Sequence, residues 1–129
     1  MSLVDDVKKM IINSAELRAY IDSENVRSFN LPEELIDKTD ITVVLIQSTG
    51  SKRGGYAGDY STKKFETCEI QIWFAEGSDT QSHEKMEDVL VRLLEQNKIF
   101  NRQSSGLDVD PDTFQLYLTL EFWRDKGDI

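Results

Sequence analysis

The chain has 129 residues, and its 15 basic and 24 acidic residues give a net charge of −9. This charge argues against a protein that grips the phosphate backbone of DNA, although an acidic wall permits DNA to slide past without sticking. The single cysteine cannot form an internal disulfide, and no apolar run approaches the roughly 20 residues of a membrane span. We therefore expect one cytosolic domain over residues 1–129, without contact with a membrane.

The first predicted element is a helix over residues 3–21. Ser2 fits its N-cap, and Asp5 and Asp6 lie in the first turn, where acids favour the helix dipole. Apolar residues recur at helical spacing at Val4, Val7, Met10, Ile11, Ala15, Leu17 and Ile21.

Two strands are predicted next. Val26 to Phe29 fits a short strand, and Leu31 to Leu35 fits a turn or one helical turn because of Pro32. Ile41 to Ile46 is apolar or β-branched at nearly every position. Such continuity indicates a strand covered on both faces.

Residues 48–64 predict a long, flexible and locally basic hairpin loop, because glycines interrupt them and apolar residues are almost absent. Two readings of its function remain open. The favoured one is an arm that orders on a protein partner; the other is an arm that contacts nucleic acid through Lys52 and Arg53, with Tyr56 and Tyr60 interleaved.

In the second half of the chain, apolar and polar residues alternate clearly in two segments. Phe65 to Ala75 and Phe114 to Trp123 are predicted strands with one apolar face each. Between them, a helix is predicted from about Gly77 to Asn97, with Ser78 and Gln81 as a capping box. Asn101 to Asp112 is predicted as a polar loop and residues 124–129 as a loose tail.

These elements predict an α+β fold: an antiparallel or mixed sheet of three to four strands, with two helices packed on one face. Trp73 and Trp123 lie on the more polar faces of their strands. Large aromatic residues at such positions are either half-covered core residues or interface anchors, and both readings stand.

Residues capable of chemistry do not form a recognisable site. His83, the one histidine, is placed near the start of an exposed helix and reads as ordinary surface. Asp108, Asp110 and Asp112 alternate like calcium ligands but lack the glycine and glutamate of a calcium loop. Cys68 reads as a buried hydrophobe. We expect no catalytic residue, no cofactor and no metal site. We therefore expect that the protein is not an enzyme.

The layout resembles that of the tail-terminator, or tail-completion, proteins of long-tailed bacteriophages. The resemblance runs through Val26 to Glu33, Ile41 to Ile46, Glu69 to Phe74 and Leu116 to Phe122. Among such proteins, the layout is most similar to that of a family from phages and prophages of lactobacilli and related bacteria.

The resemblance implies a hexameric ring that caps the finished tail tube, contacts the major tail tube protein, and presents a surface to the head-completion protein. DNA would pass through the ring without specific binding. Such a protein would assemble in the cytoplasm of the bacterial host and remain at the head–tail junction of the virion.

Three alternatives are kept beside the tail terminator. The first is a neighbouring head–tail joining or minor tail component. The second is a small metal-dependent nuclease that uses Asp108 and Asp110, which the lack of a convergent acid cluster disfavours. The third is an intracellular adaptor unrelated to phage.

Overall fold

The computed structural model describes residues 2–28, 41–57, 60–111 and 115–128, with side chains described for all of these except 51–57, 60–63 and 127–128. Within these residues, two α-helices and a five-stranded mixed sheet form an α+β fold, as predicted, although the sheet has five strands instead of the three to four expected. In chain order the elements are α1 (Leu3–Asn13), β1 (Val26–Ser28), β2 (Val43–Ala57), β3 (Tyr60–Trp73), α2 (Thr80–Gln96), β4 (Ile99–Val109) and β5 (Leu116–Asp128).

The strands lie in the order β1-β2-β3-β5-β4. β1 pairs with β2 in parallel, and the other three pairings are antiparallel. β3 is therefore the central strand, and β4 is an edge strand that pairs only with β5 among the described residues.

Alternation along β3 and β5 separates two faces of the sheet, as the sequence pattern predicts. Cys68, Ile70 and Ile72 point into the core from β3 and are fully buried. Both helices contribute to the same core, so they cover one face of the sheet. The remaining core residues of these four elements are Leu3, Val4, Val7, Ile11, Met86, Leu90, Leu94, Leu118, Leu120 and Phe122.

The two predicted strands of the first half are present. β1 covers Val26–Ser28, and Phe29 and the predicted turn at Leu31 to Leu35 lie outside the described residues. β2 begins at Val43, and its first four residues are all buried. Burial on both faces, as predicted for this strand, is thus found at positions 43–46.

The first helix is shorter than predicted. Ser2 caps α1 as expected, with its hydroxyl accepting from the Asp5 amide at 3.2 Å. The helix ends at Asn13 instead of continuing to residue 21, because the Ser14 hydroxyl accepts from the Leu17 amide and starts a separate 3-10 turn. Leu17 and Ile21 still reach the core.

Residues 48–64, predicted as a loop, mostly form strand. β2 and β3 stay paired as far as Ala57 and Tyr60, so the segment is the outer half of a two-stranded ribbon. A bulge between Ser48 and Gly50 interrupts the pairing, and Gly50 takes a φ of 102° that favours glycine. The prediction of a hairpin is confirmed. The prediction of an irregular loop is wrong, because most of the segment is strand. The flexibility of the segment stays a prediction.

Two further segments predicted as irregular are strands. The polar stretch after Phe100 forms β4, and the predicted loose tail continues β5 to Asp128. β4 lacks a clear alternation because it is an edge strand whose residues after Asn101 are almost all exposed. The C-terminal residues are held by pairing with β3, in which Phe65 faces Asp125 and Lys63 faces Asp128.

The second helix begins at Thr80, and its N-cap is Asp79 rather than the predicted Ser78. The Asp79 carboxylate accepts from the Ser82 amide at 2.7 Å, which satisfies one of the free amides of the first turn. Of the helices that the structure describes, none combines the length and apolar character that crossing a bilayer requires.

A charged cluster fastens α1 to the sheet. The Arg124 guanidinium on β5 donates to Asp6 of α1 at 2.6 Å and to Glu66 of β3 at 2.9 Å. Lys126 adds a second contact to Glu66 at 3.2 Å. Burial alone would raise the pKa of Glu66, but the hydrogen bonds and charges of Lys126 and Arg124 outweigh it and lower that pKa.

Replacing Leu120 by alanine is expected to destabilise the fold by about 2–5 kcal/mol, because its side chain is fully buried in the core. Leu107→Ala is the matched control: the same atoms are removed from a neighbouring strand, where the side chain is 44% exposed, and the cost should stay below about 1 kcal/mol. Urea denaturation at low protein concentration measures both changes. Equal losses for the two variants would contradict the core assignment.

Candidate interaction surface

The face of the sheet opposite the helices, here called the outer face, carries the alternate side chains of β2, β3 and β5. Its middle is polar and internally hydrogen-bonded. Glu69 accepts from the side-chain amides of Gln47 at 3.1 Å and Gln71 at 3.2 Å. A shallow groove of about 260 Å³ beside these residues is lined by Thr49, Glu69, Gln103, Ser105, Thr119 and Glu121.

One end of the outer face carries Trp73. Its indole stacks on Tyr117 with ring centroids 4.3 Å apart and donates to Gln71 at 3.3 Å. Val43 and Leu45 lie on the same face of neighbouring β2 and are buried. Trp73 is thus a half-buried member of a packed group, and a role as an interface anchor stays a prediction.

The other end carries Trp123. Phe65 meets it edge-on at 5.3 Å between ring centroids, and Phe100 contacts it from β4 at 5.2 Å. An apolar groove of about 270 Å³ lies here between Phe65, Thr67, Arg102 and Trp123. Aromatic side chains with one face packed and one open are typical of protein interfaces.

The four predicted arm residues lie in the ribbon. In the register of the backbone, Lys52 lies opposite Phe65 and Arg53 opposite Lys64. Tyr56 and Tyr60 follow near the tip, opposite Ser61 and Ala57. The structure therefore brings these four positions together on one hairpin and separates them from Trp73, which lies at the far end of β3.

The β4 edge was missed by sequence reasoning. All three large hydrophobic residues that are exposed in the described part of the chain lie on this strand: Phe100 at 37%, Leu107 at 44% and Val109 at 52%. Leu107 and Val109 are two residues apart and lie opposite Leu118 and Leu116, on the helix-bearing face. The one signal in the sequence is that these apolar residues stand in an otherwise polar stretch.

His83 is buried, so its assignment to ordinary surface was wrong. The imidazole stacks on Phe74 with centroids 3.9 Å apart, and Nε2 lies 2.7 Å from the Ser78 hydroxyl. That hydroxyl donates to the Ala75 carbonyl at 2.6 Å, so it accepts from a protonated Nε2. Nδ1 is then an unprotonated, buried nitrogen with no hydrogen-bond partner among the described residues.

The Ser78–His83 contact does not form a catalytic pair. A serine nucleophile gives its proton to the histidine, and a third group orients the other ring nitrogen. Here the serine proton is directed to a backbone carbonyl, and no carboxylate in the described part of the chain pairs with Nδ1. The contact instead joins the loop before α2 to the core beneath Phe74.

The remaining reactive groups have simple surroundings. Burial raises the pKa of the Cys68 thiol to about 12, with a small opposing effect of the Arg124 charge. Asp108 is exposed on β4, and Asp110 follows in the turn to β5. Across the residues that the structure describes, no three histidine, cysteine or acidic side chains are grouped to hold a metal ion.

Acid is expected to destabilise the protein through His83. Burial lowers the pKa of His83 below its ordinary value of 6.5, while the Asp79 charge acts in the opposite direction. The unfolded chain therefore binds a proton that the folded chain resists, so the free energy of unfolding falls as the pH drops through 6.5. Urea denaturation between about pH 7.5 and about pH 5.5 measures this slope.

His83→Phe is the control for that measurement. It keeps an aromatic ring against Phe74 and removes the titrating group, and the chain holds no other histidine. The variant should lose the slope in this pH range. An unchanged slope would show that another group is responsible.

Comparison with known proteins identifies a family and structural relatives. A search of curated proteins finds no match. Among solved structures, a chain of the virion of a native gene transfer agent particle superposes with a TM-score of 0.65 at 9% sequence identity, over 96% of this chain and 93% of that chain. At this identity the likeness shows a shared fold. The model of the family described as "Protein of unknown function (DUF806)" matches residues 3–126, and the chain belongs to that family.

Proposed function

We propose that this protein is a structural component of a virion, and specifically a ring-forming tail terminator that caps the tail tube and joins it to the head. The observation that carries the proposal is the likeness over nearly the full length of both chains to a chain of a virion particle. Agreement over 96% of this chain and 93% of that chain favours a similar use of the fold. The DUF806 match is consistent with it.

The surfaces described above support assembly rather than catalysis. The sheet ends in an exposed strand, β4, and in a ribbon that pairs beyond the last residue of β5. Unpaired strand edges and ribbons are common means of joining protein subunits. Aromatic residues at both ends of the outer face add contact area.

In this proposal copies of the chain form a hexameric ring that contacts the major tail tube protein on one side and the head-completion protein on the other. Head-to-tail contacts between identical subunits close into a ring when the rotation per subunit permits it. The acidic net charge of −9 suits a channel through which DNA passes without binding. Assembly takes place in the host cytoplasm, and the ring then remains in the virion.

Electron microscopy of the purified protein, alone and mixed with its tail tube protein, tests the proposal. We expect rings, and tubes that end in a ring at one end only and no longer grow. Tubes that continue to elongate in the presence of the protein would contradict the terminator role. Binding to the head-completion protein without binding to tubes would instead favour the neighbouring head–tail joining component.

The proposal contains no catalytic step, and titration calorimetry checks this point against the nuclease alternative. Mg²⁺, Mn²⁺ and Ca²⁺ should each give no heat of binding, since Asp108 and Asp110 belong to no group of three ligands among the described residues. Metal binding that disappears in Asp108→Asn would revive the nuclease. Glu84→Gln, on the exposed surface of α2, is the control for a nonspecific loss of charge.

A further inference from the structure

We infer that the β4 edge of one copy is the docking surface for the β2–β3 ribbon of a second copy, so that neighbouring subunits are joined head to tail. The inference deepens the proposed ring by naming the two surfaces that join its subunits. It rests on the proposed function only for the closure of the chain of contacts into a ring.

The first argument is exposed apolar surface. Leu107 and Val109 are 44% and 52% exposed, they lie on the same face of β4, and that strand has no partner on its outer side among the described residues. An exposed edge strand with large apolar side chains favours association with another chain. The bulge at Gly106, where φ is 77°, limits the regular edge to the residues that follow it.

The second argument is charge. Residues 48–64 hold four basic residues and one acidic residue, whereas the rest of the chain holds eleven basic and 23 acidic residues. Within the ribbon, Arg53 and Lys64 are like charges directly opposite each other, an arrangement that destabilises a strand pair. An acidic surface on a neighbouring molecule would offset this repulsion and stabilise the ribbon.

The third argument is distance, which prevents the two charged surfaces of one copy from pairing with each other and leaves them for the complementary surfaces of a second copy. Asp108 pairs with Tyr117, which lies level with Trp73, and Asp110 follows in the turn. Lys64 lies nine residues before Trp73 on the same strand, or roughly 30 Å away. Salt screens charges over about 8 Å under physiological conditions, so the ribbon and this acidic end cannot attract each other within one copy.

The two surfaces are therefore complementary in charge and lie at opposite ends of the sheet. A contact in which each copy docks its ribbon on one neighbour and receives the ribbon of another neighbour on β4 is heterologous, and contacts of this type generate rings or filaments. In the proposed contact Leu107 and Val109 supply apolar contact area, and exposed Asp108 supplies a charge opposite to that of the ribbon.

A charge-swap experiment tests this contact by measuring self-association in sedimentation velocity. Asp108→Lys and Arg53→Glu should each weaken self-association by about tenfold or more, and the double variant should recover much of the loss. Leu107→Ala should also weaken self-association, while the stability of the monomer changes by less than about 1 kcal/mol. Glu84→Lys, the same charge change on exposed α2, should leave self-association unchanged.

The outcomes separate this inference from the proposed function. Self-association that is insensitive to all three substitutions would overturn the ribbon–β4 contact while leaving the ring possible. A wild-type protein that stays monomeric at high concentration, both alone and with tube protein, would overturn the contact. If the ribbon substitutions abolish binding to tube protein or DNA but not self-association, the ribbon's partner is not a second copy.

Discussion

Burial of both helices against one face of the sheet determines where this protein can meet other molecules. The core residues of α1, α2, β3 and β5 form a single cluster, and the Arg124 bridge to Asp6 and Glu66 holds α1 in place at one end of it. With that face occupied, the outer face beyond buried Val43 and Leu45, the β4 edge and the ribbon are the surfaces of the described residues left for contacts. In the middle of the outer face, Glu69 is already hydrogen-bonded to Gln47 and Gln71. The aromatic ends of this face, the β4 edge and the ribbon are therefore the better candidates for contacts with other molecules.

Much of the fold is readable from the sequence where burial is one-sided. Along β3 and β5 every second residue is apolar, so the strands, their faces and the buried Cys68 follow from a period of two. Where burial is absent, this signal disappears: β4 is exposed along most of its length, and its polar residues resemble a loop. The prediction of a loop for the ribbon was wrong for the same reason. Backbone pairing between strands requires no apolar pattern, so a polar, glycine-rich sequence does not reveal it.

The candidate surface was harder to predict than the fold. Trp73 and Trp123 were identified because they break the polar pattern of their face, and the structure gives each an aromatic neighbour. Their neighbours Tyr117, Phe65 and Phe100 come from other strands, so only the register brings them together. The burial of His83 was not predicted either. It depends on Phe74, which precedes the helix and stacks on the imidazole ring.

Cys68 gives the molecule an internal reporter of its own opening. It is the single thiol of the chain, it is fully shielded on the central strand, and burial suppresses its ionisation. A maleimide or disulfide reagent reacts with the thiolate, so modification requires that the helices first separate from the sheet. The rate of labelling therefore follows the population of opened molecules. β3 also continues into the ribbon. If assembly into a larger particle holds the ribbon and stabilises the centre of the sheet, the rate of Cys68 labelling should therefore fall.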